Sequence, residues 1–124
     1  MTNAFDVTIV THEGAPRGAL DDRELASAIR DVGGRVRFSV WDDPDIDWSA
    51  SPTTIIRSAW DYFSKPTEWR TWVRSTDSVT RLVNPASLVL WNMDKRFLLD
   101  LAAAGVAIVP TRIARMAPAV DLPV

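Results

Sequence analysis

The sequence predicts an α/β protein built on a mostly parallel sheet with helices on both faces. Three observations predict it. Strand and helix patterns follow one another in the order β-α-β-β-α-β-α-β along 124 residues, and such alternation is the signature of parallel strands joined by helical crossovers. The first strand pattern is apolar on both sides, as expected of a strand covered by two layers. The helical patterns each carry one apolar stripe.

Phe5 to Val10 is the first strand, a continuous β-favouring run. Thr11 to Ala19 reads as a loop, punctuated by Gly14, Pro16 and Gly18. A helix opens at Asp21, with Asp21 as its cap and Glu24 completing a capping box. Leu25, Ile29 and Val32 form its expected apolar face, and Gly33-Gly34 ends it. Arg35 to Trp41 alternates polar and apolar residues, which suits a second strand, possible at a sheet edge. Asp42 to Pro52 is a polar loop and Thr53 to Arg57 a short third strand. Ser58 to Lys65 is a loop, and Pro66 stands well in the first turn of a helix whose core face is Trp69, Trp72 and Val73. Arg81 to Val83 is a fourth strand, ended by Asn84-Pro85. Ala86 to Asn92 reads as a short helix or turn. Met93 to Ala104 reads as a helix with Phe97, Leu98, Leu101 and Ala102 on its core face and Gly105 as its cap. Val106 to Val109 is expected as a last strand, stopped by Pro110, and the tail from Met116 has neither period.

Composition narrows the function. The 14 basic and 16 acidic residues leave a net charge of -2, so no basic excess draws the chain to nucleic acid or an anionic membrane. There is no cysteine, which excludes disulfides, thiolate metal sites and cysteine nucleophiles. The N-terminus lacks a signal-peptide pattern, and no run approaches the roughly 18 apolar residues of a membrane span. A cytoplasmic protein is expected.

Ligands in parallel α/β sheets sit beyond the C-terminal strand ends, which directs attention to the loops after Val10, Arg57 and Asn84. No glycine-rich phosphate loop is present. The run Asp42-Asp43-Pro44-Asp45-Ile46-Asp47 has the acids of a calcium loop but neither its glycine nor its closing glutamate, so a solvated loop with Trp41 and Trp48 packing its ends is the better reading. His12, the single histidine, lies beside Glu13 after the first strand. Acid–base work there is conceivable, but a surface histidine is the plainer reading. The densest chemistry is Arg57-Ser58-Ala59-Trp60-Asp61-Tyr62. Arg57 offers a planar fork for a carboxylate or phosphate. Asp61 suits an ammonium, and Trp60 and Tyr62 suit the walls of a small pocket. An Arg57–Asp61 ion pair fixing the loop is the structural alternative. Asp94-Lys95 opens the later helix, where a lysine can reach a phosphate, although an exposed first-turn pair is the commoner role.

Taken together these strings resemble the N-terminal part of ATP-grasp ligases. The match runs through Val40 to Trp48 and Arg57 to Tyr62. It is strongest in Asn84-Pro85, Trp91 to Leu101 and Gly105-Val106-Ala107-Ile108-Val109-Pro110-Thr111. The nearest branch includes glutathione synthetase-like and O-ureido-D-serine cyclo-ligase-like proteins. The resemblance implies a preATP-grasp domain over residues 1–111, a three-layer αβα sandwich, with 112–124 a linker or the start of a missing ATP-grasp domain. It implies a ligase that phosphorylates a carboxylate with Mg-ATP and lets an amine attack the acyl phosphate. Lys95 matches a lysine near the nucleotide phosphates. Arg57, Ser58, Asp61 and Tyr62 match a loop facing an amino-acid-like substrate, and Thr11 and His12 match it loosely. Thr53-Thr54 departs from the family's more apolar third strand, so a weaker or more exposed strand is expected there. The family's ATP-contacting lysines and magnesium ligands fall after Thr111. No metal site, no catalytic residue and no tight ATP or Mg2+ binding are therefore expected of this chain alone, and its partner is the absent ATP-grasp domain. A standalone α/β module that binds an amino-acid-like ligand without catalysis is the rival reading. A phosphoacceptor receiver is disfavoured, because Thr11-His12-Glu13 stands where paired acids belong.

Overall fold

The computed structural model describes residues 3–114, and these divide into two compact units, Met1–Leu90 and Trp91–Val124. In the first unit, β1 (Val7–Thr11), β2 (Val36–Val40), β3 (Thr53–Ser58) and β4 (Arg81–Val83) form one sheet in the order β2-β1-β3-β4, every pair parallel. Helices α1 (Leu20–Asp31) and α2 (Pro66–Asp77) are the crossovers from β1 to β2 and from β3 to β4. These two crossovers step in opposite directions along the sheet. Right-handed connections therefore put α1 and α2 on opposite faces, giving the expected αβα sandwich. Helix α3 (Ala86–Asn92) follows β4.

The α1 face is apolar. Val7 and Ile9 pair in register with Val36 and Phe38, and Ala26 is buried among them with Leu25 and Ile29. Val32, expected on this face, is 86% exposed because the helix ends at Asp31 and Val32 has turned away as its C-cap. The start also differs from expectation. Ala19 is the cap and Asp22 its third residue, so the Asp22 carboxylate, not Glu24, accepts the Ala19 N–H at 3.0 Å. Gly18 lets the loop approach here. Its φ is +72°, and a Cβ would lie 2.6 Å from the Phe38 ring and 2.8 Å from Asp22 Cβ.

On the other side α2 buries Trp69, Trp72, Val73 and Thr76, which extends the expected face by one turn. Pro66 holds its first turn. Trp69 stacks on Trp72 at 4.7 Å, and Trp41 meets both edge-on at 5.1 and 6.2 Å. Aromatic pairs of this kind add about 0.5–1.5 kcal/mol each beyond area burial. Thr53-Thr54 is not a weak edge. Strand β3 is central, Thr54 is fully buried, and its hydroxyl bonds the Thr80 hydroxyl at 3.2 Å, while Thr80 donates to the Ser51 carbonyl at 2.8 Å. These two hydroxyls are tolerated in the interior because each has a partner, whereas the buried Thr76 hydroxyl on α2 has none. Strand β2 is an edge strand, as its alternation suggested.

In the second unit α4 (Phe97–Ala103) begins four residues later than expected, leaving Met93 to Arg96 as a turn in which the Asp94 carboxylate accepts the Arg96 N–H at 2.9 Å. Its end is as expected. Gly105, at φ 80°, donates to Ala102 O while Val106 donates to Leu101 O, the Schellman pattern that closes a helix on glycine. Ala102, placed on the core face by its spacing, is exposed. Val106 to Val109 is not a strand, and the sheet has four strands among the described residues. The run has β propensity but no ladder partner, and propensity without pairing does not make a strand. Its end residues, Val106 and Val109, are 49% and 78% exposed. The expected patternless tail from Met116 lies outside the described residues. Among the described residues no helix is long and apolar enough to cross a membrane.

Candidate functional site

The site is built where the C-terminal ends of β1 and β3 lie side by side, Thr11 in register with Ser58. Both strands run toward this end, so the residues that follow them, His12 and Ala59, leave the sheet at the place where parallel α/β sheets hold ligands.

Asp22 is the centre of the site. It is 1% exposed and reaches from the first turn of α1 to the end of β3. Its carboxylate accepts the Ala19 N–H, the Arg57 Nε–H at 2.8 Å and the Ser58 hydroxyl. Burial pushes the Asp22 carboxyl toward a higher pKa, but the Ser58, Arg57 and Ala19 hydrogen bonds together outweigh it and hold the group below the ordinary carboxylate range. Arg57 is 38% exposed in its side chain and also meets Asp21, Nη2 to Oδ2, at 2.5 Å. The Asp22 hydrogen bond raises the Arg57 pKa, so the guanidinium stays charged. Two carboxylates thus orient the fork through Nε and Nη2 and leave Nη1 outside the pair.

His12 stands beside this cluster. Its Nδ1 lies 2.7 Å from the Ser58 carbonyl, which can only accept, so Nδ1 is the donor and Nε2 is left for a further partner. The imidazole lies 5.5 Å from the Trp60 ring, and Trp60 is 57% exposed. Together they form an aromatic ledge at the mouth of the strand ends.

The residues predicted from sequence divide into two groups. Arg57, Ser58 and His12 are brought together. Thr11 belongs to β1, is fully buried, and its hydroxyl donates to the Ala15 carbonyl, so it shapes the loop beneath them. Asp61 and Tyr62 turn elsewhere, on the short 3-10 helix Trp60–Ser64. Asp61 accepts the Trp41 indole N–H at 2.8 Å and lies 3.7 Å from Lys65 Nζ, while Tyr62 packs on Trp69 at 5.2 Å. The anticipated Arg57–Asp61 ion pair is replaced by Arg57–Asp22: strand alternation puts Arg57 on the face of β3 that Val7 and Ile9 share with α1, and the ladder shifts register beside it, between Ile56 and Ser58. Lys95 lies in the turn before α4, its Nζ 5.5 Å from the Phe97 ring centroid. Asp22 was not foreseen. The adjacent acids Asp21-Asp22 at a helix start were the available signal, but the first was read as the cap.

Comparison with known proteins gives the family. Residues 7–84 match the family model described as the N-terminal domain of the D-cycloserine synthetase DcsG. The cycloserine biosynthesis protein DcsG of Streptomyces lavendulae is 38% identical over 97 residues, which are 78% of this chain and 32% of that protein. The crystal structure of D-cycloserine synthetase DcsG superimposes with a TM-score of 0.77 at 35% identity, covering 84% of this chain and 35% of that one. The chain therefore spans about a third of the length of the relatives it matches. The match includes β1 to β4 and every residue of the Asp22 cluster, and the chain belongs to the DcsG N-terminal domain family.

Proposed function

We propose that this chain is the substrate-side domain of an ATP-dependent carboxylate–amine or ring-closing ligase of ATP-grasp type, and that the cluster at the ends of β1 and β3 holds an amino-acid-like substrate. The observation that carries this reading is the oriented Arg57. A guanidinium fixed by Asp21 and Asp22 at a strand end, with Nη1 left over, suits the carboxylate of an amino acid. His12 Nε2 can accept from an ammonium or amide N–H, and Trp60 provides an apolar wall. Membership in the family of a D-cycloserine synthetase supports a small, amino-acid-derived ligand.

In this reading ATP and Mg2+ serve the whole enzyme, where they would supply the phosphoryl group and neutralise its charge. The described residues do not suit that site. Among them no three His, Asp or Glu side chains converge as metal ligands, and Lys95, the one candidate phosphate contact, stands in a turn over an aromatic ring. What this chain contributes is binding and orientation, in a cytoplasmic setting that suits a protein without cysteine.

The test is Arg57→Ala in a full-length ligase carrying this domain. Loss of one charge-assisted contact of about 1.5–3 kcal/mol should raise KM roughly 10- to 100-fold with a smaller change in kcat. Unchanged kinetics would overturn the substrate role. The isolated 124 residues should show no metal-dependent ATP hydrolysis, and turnover by them would overturn the division of labour. A second reading, a binding module without catalysis, is favoured by one observation: the whole cluster lies inside the unit Met1–Leu90. Thermal stabilisation of the chain by an amino acid without ATP would support it.

A further inference from the structure

The second unit is apolar without having an interior of its own. Among its described residues, 91–114, none is buried, and α4 buries no side chain. Trp91, Leu99, Val106, Val109 and Ile113 are all exposed, whereas the first unit closes over Ile9, Val10, Trp69 and Val73. From Phe97 to Val109 the only charge is Asp100, and its carboxylate is taken by the Trp91 indole N–H at 2.9 Å. Helix α4 closes on Gly105, and the run after it, Val106-Ala107-Ile108-Val109, favours β structure. Yet no described residue accepts the N–H of Ala107, Ile108 or Val109. Edges that stay free in water are blunted by charge or proline within the strand, and this run has neither.

We propose that residues 91–109 are a docking surface for the domain that follows this one in the full-length ligase, and that Val106–Val109 adds as a strand to an open edge of that domain's sheet. This rests on the reading of the chain as one domain of a longer ligase. Three observations commit the surface to that occupant rather than to a second copy. The family model of the N-terminal domain ends at Asn84, before the segment begins. The likeness to the Streptomyces protein nevertheless runs into the segment, because 97 matched residues are more than residues 1–90 can supply. Those residues are only 32% of that protein, so most of its chain is available to cover the surface. A tethered domain meets such a surface at an effective concentration on the order of millimolar, which a free second copy does not reach. Strand addition suits the chemistry. Main-chain hydrogen bonds satisfy the open donors, and side chains alternate between the two faces of the partner sheet.

The experiment is hydrogen–deuterium exchange by mass spectrometry on two proteins, a full-length ligase carrying this domain and the 124-residue chain. Peptides spanning Val106–Val109 should exchange roughly 100-fold more slowly in the full-length ligase, while peptides of β1 are equally protected in both. Adjacent strand residues send their N–H groups to opposite edges, so one of Ala107→Pro and Ile108→Pro must remove a ladder donor. At least one of them should speed exchange in the full-length ligase by roughly tenfold or more. Neither should move the Tm of the 124-residue chain by more than about 1 °C, since no ladder is broken there. Fast exchange in both proteins, or full protection in both proline variants, would overturn the proposal. So would protection already present in the 124-residue chain, whether constant or rising with concentration as a second copy would cause. The Arg57→Ala kinetics are read in the same ligase. Failure here with KM still raised would remove the docking surface and leave the substrate site standing.

Discussion

Asp22→Ala is the most informative single change in this chain. It removes the acceptor of three donors at once: the Ala19 N–H, the Ser58 hydroxyl and the Arg57 Nε–H. Arg57 is 38% exposed and keeps Asp21 and water, so its loss is discounted. The other two donors do not reach water easily. Ser58 is 2% exposed and Ala19 is half-buried at the helix start. An unmade hydrogen bond at a buried donor costs about 1–3 kcal/mol, so the buried Ser58 hydroxyl with a smaller share from the half-buried Ala19 N–H gives roughly 2–5 kcal/mol. That is a large share of the roughly 5–15 kcal/mol that holds a domain together. The assay is urea unfolding followed by tryptophan fluorescence, with calorimetry expected to show Tm falling by roughly 10 °C for a loss near 3 kcal/mol. Ser58→Ala in both backgrounds isolates the pair, and the coupling between Asp22 and Ser58 should be about 1–3 kcal/mol. A loss below about 0.5 kcal/mol for Asp22→Ala, or simple additivity with Ser58→Ala, would refute the view that this carboxylate ties α1 to β3.

Three further outcomes are expected. Stability should fall with acid. Asp6 is held at a pKa of about 2, first by the Arg35 side chain and then by its N–H, and Asp22 is also lowered, so the stabilisation these groups give is complete above the ordinary carboxyl pKa near 4 and is lost as pH drops from about 4 toward 2. A Tm–pH profile should slope in that window, and Asp6→Asn should flatten it; an unaltered slope would remove Asp6 from the account. Trp41→Phe should cost about 1–3 kcal/mol in urea, because it removes the indole N–H from Asp61 and part of a ring that is 1% exposed. Gly14→Ala should leave overall stability within about 1 kcal/mol yet shift the His12 ring, since the new Cβ would lie 3.0 Å from Nε2. A changed chemical shift of the His12 ring protons would report it, and an unshifted ring would count against the loop geometry.

The layered sheet was legible because its cues are local. Strand runs such as Val7 to Val10, the α2 stripe of Trp69, Trp72 and Val73, and Gly105 after α4 each depend on neighbours within a turn or two. What escaped was set by distance or by length. Whether Arg57 meets Asp61, four residues away, or Asp22, 35 away, depends on which face of β3 it stands on and on the register shift beside it, which its neighbours in sequence do not reveal. Thr54 looked exposed because a hydroxyl is polar, yet it is buried against a second hydroxyl that the sequence does not place beside it. Val106 to Val109 looked like a strand because propensity can be read from four residues and a pairing partner cannot. The candidate site shows the same limit. Arg57, Ser58 and His12 were found by position after strands, whereas Asp22, which organises them, sits on a helix and was hidden behind its neighbour.

The order β2-β1-β3-β4 makes the first strand the hinge pin of the whole sheet. Strands β2 and β3 never touch each other; each is hydrogen-bonded to β1. Trimming the chain back through Thr11 would therefore not shorten the sheet from one end but split it into a lone strand and a two-stranded remnant, and His12 would lose the strand that holds it against the Ser58 carbonyl. An engineer wishing to relocate the termini should cut elsewhere, in the exposed turn at Val32 and Gly33 for example, where no ladder is interrupted.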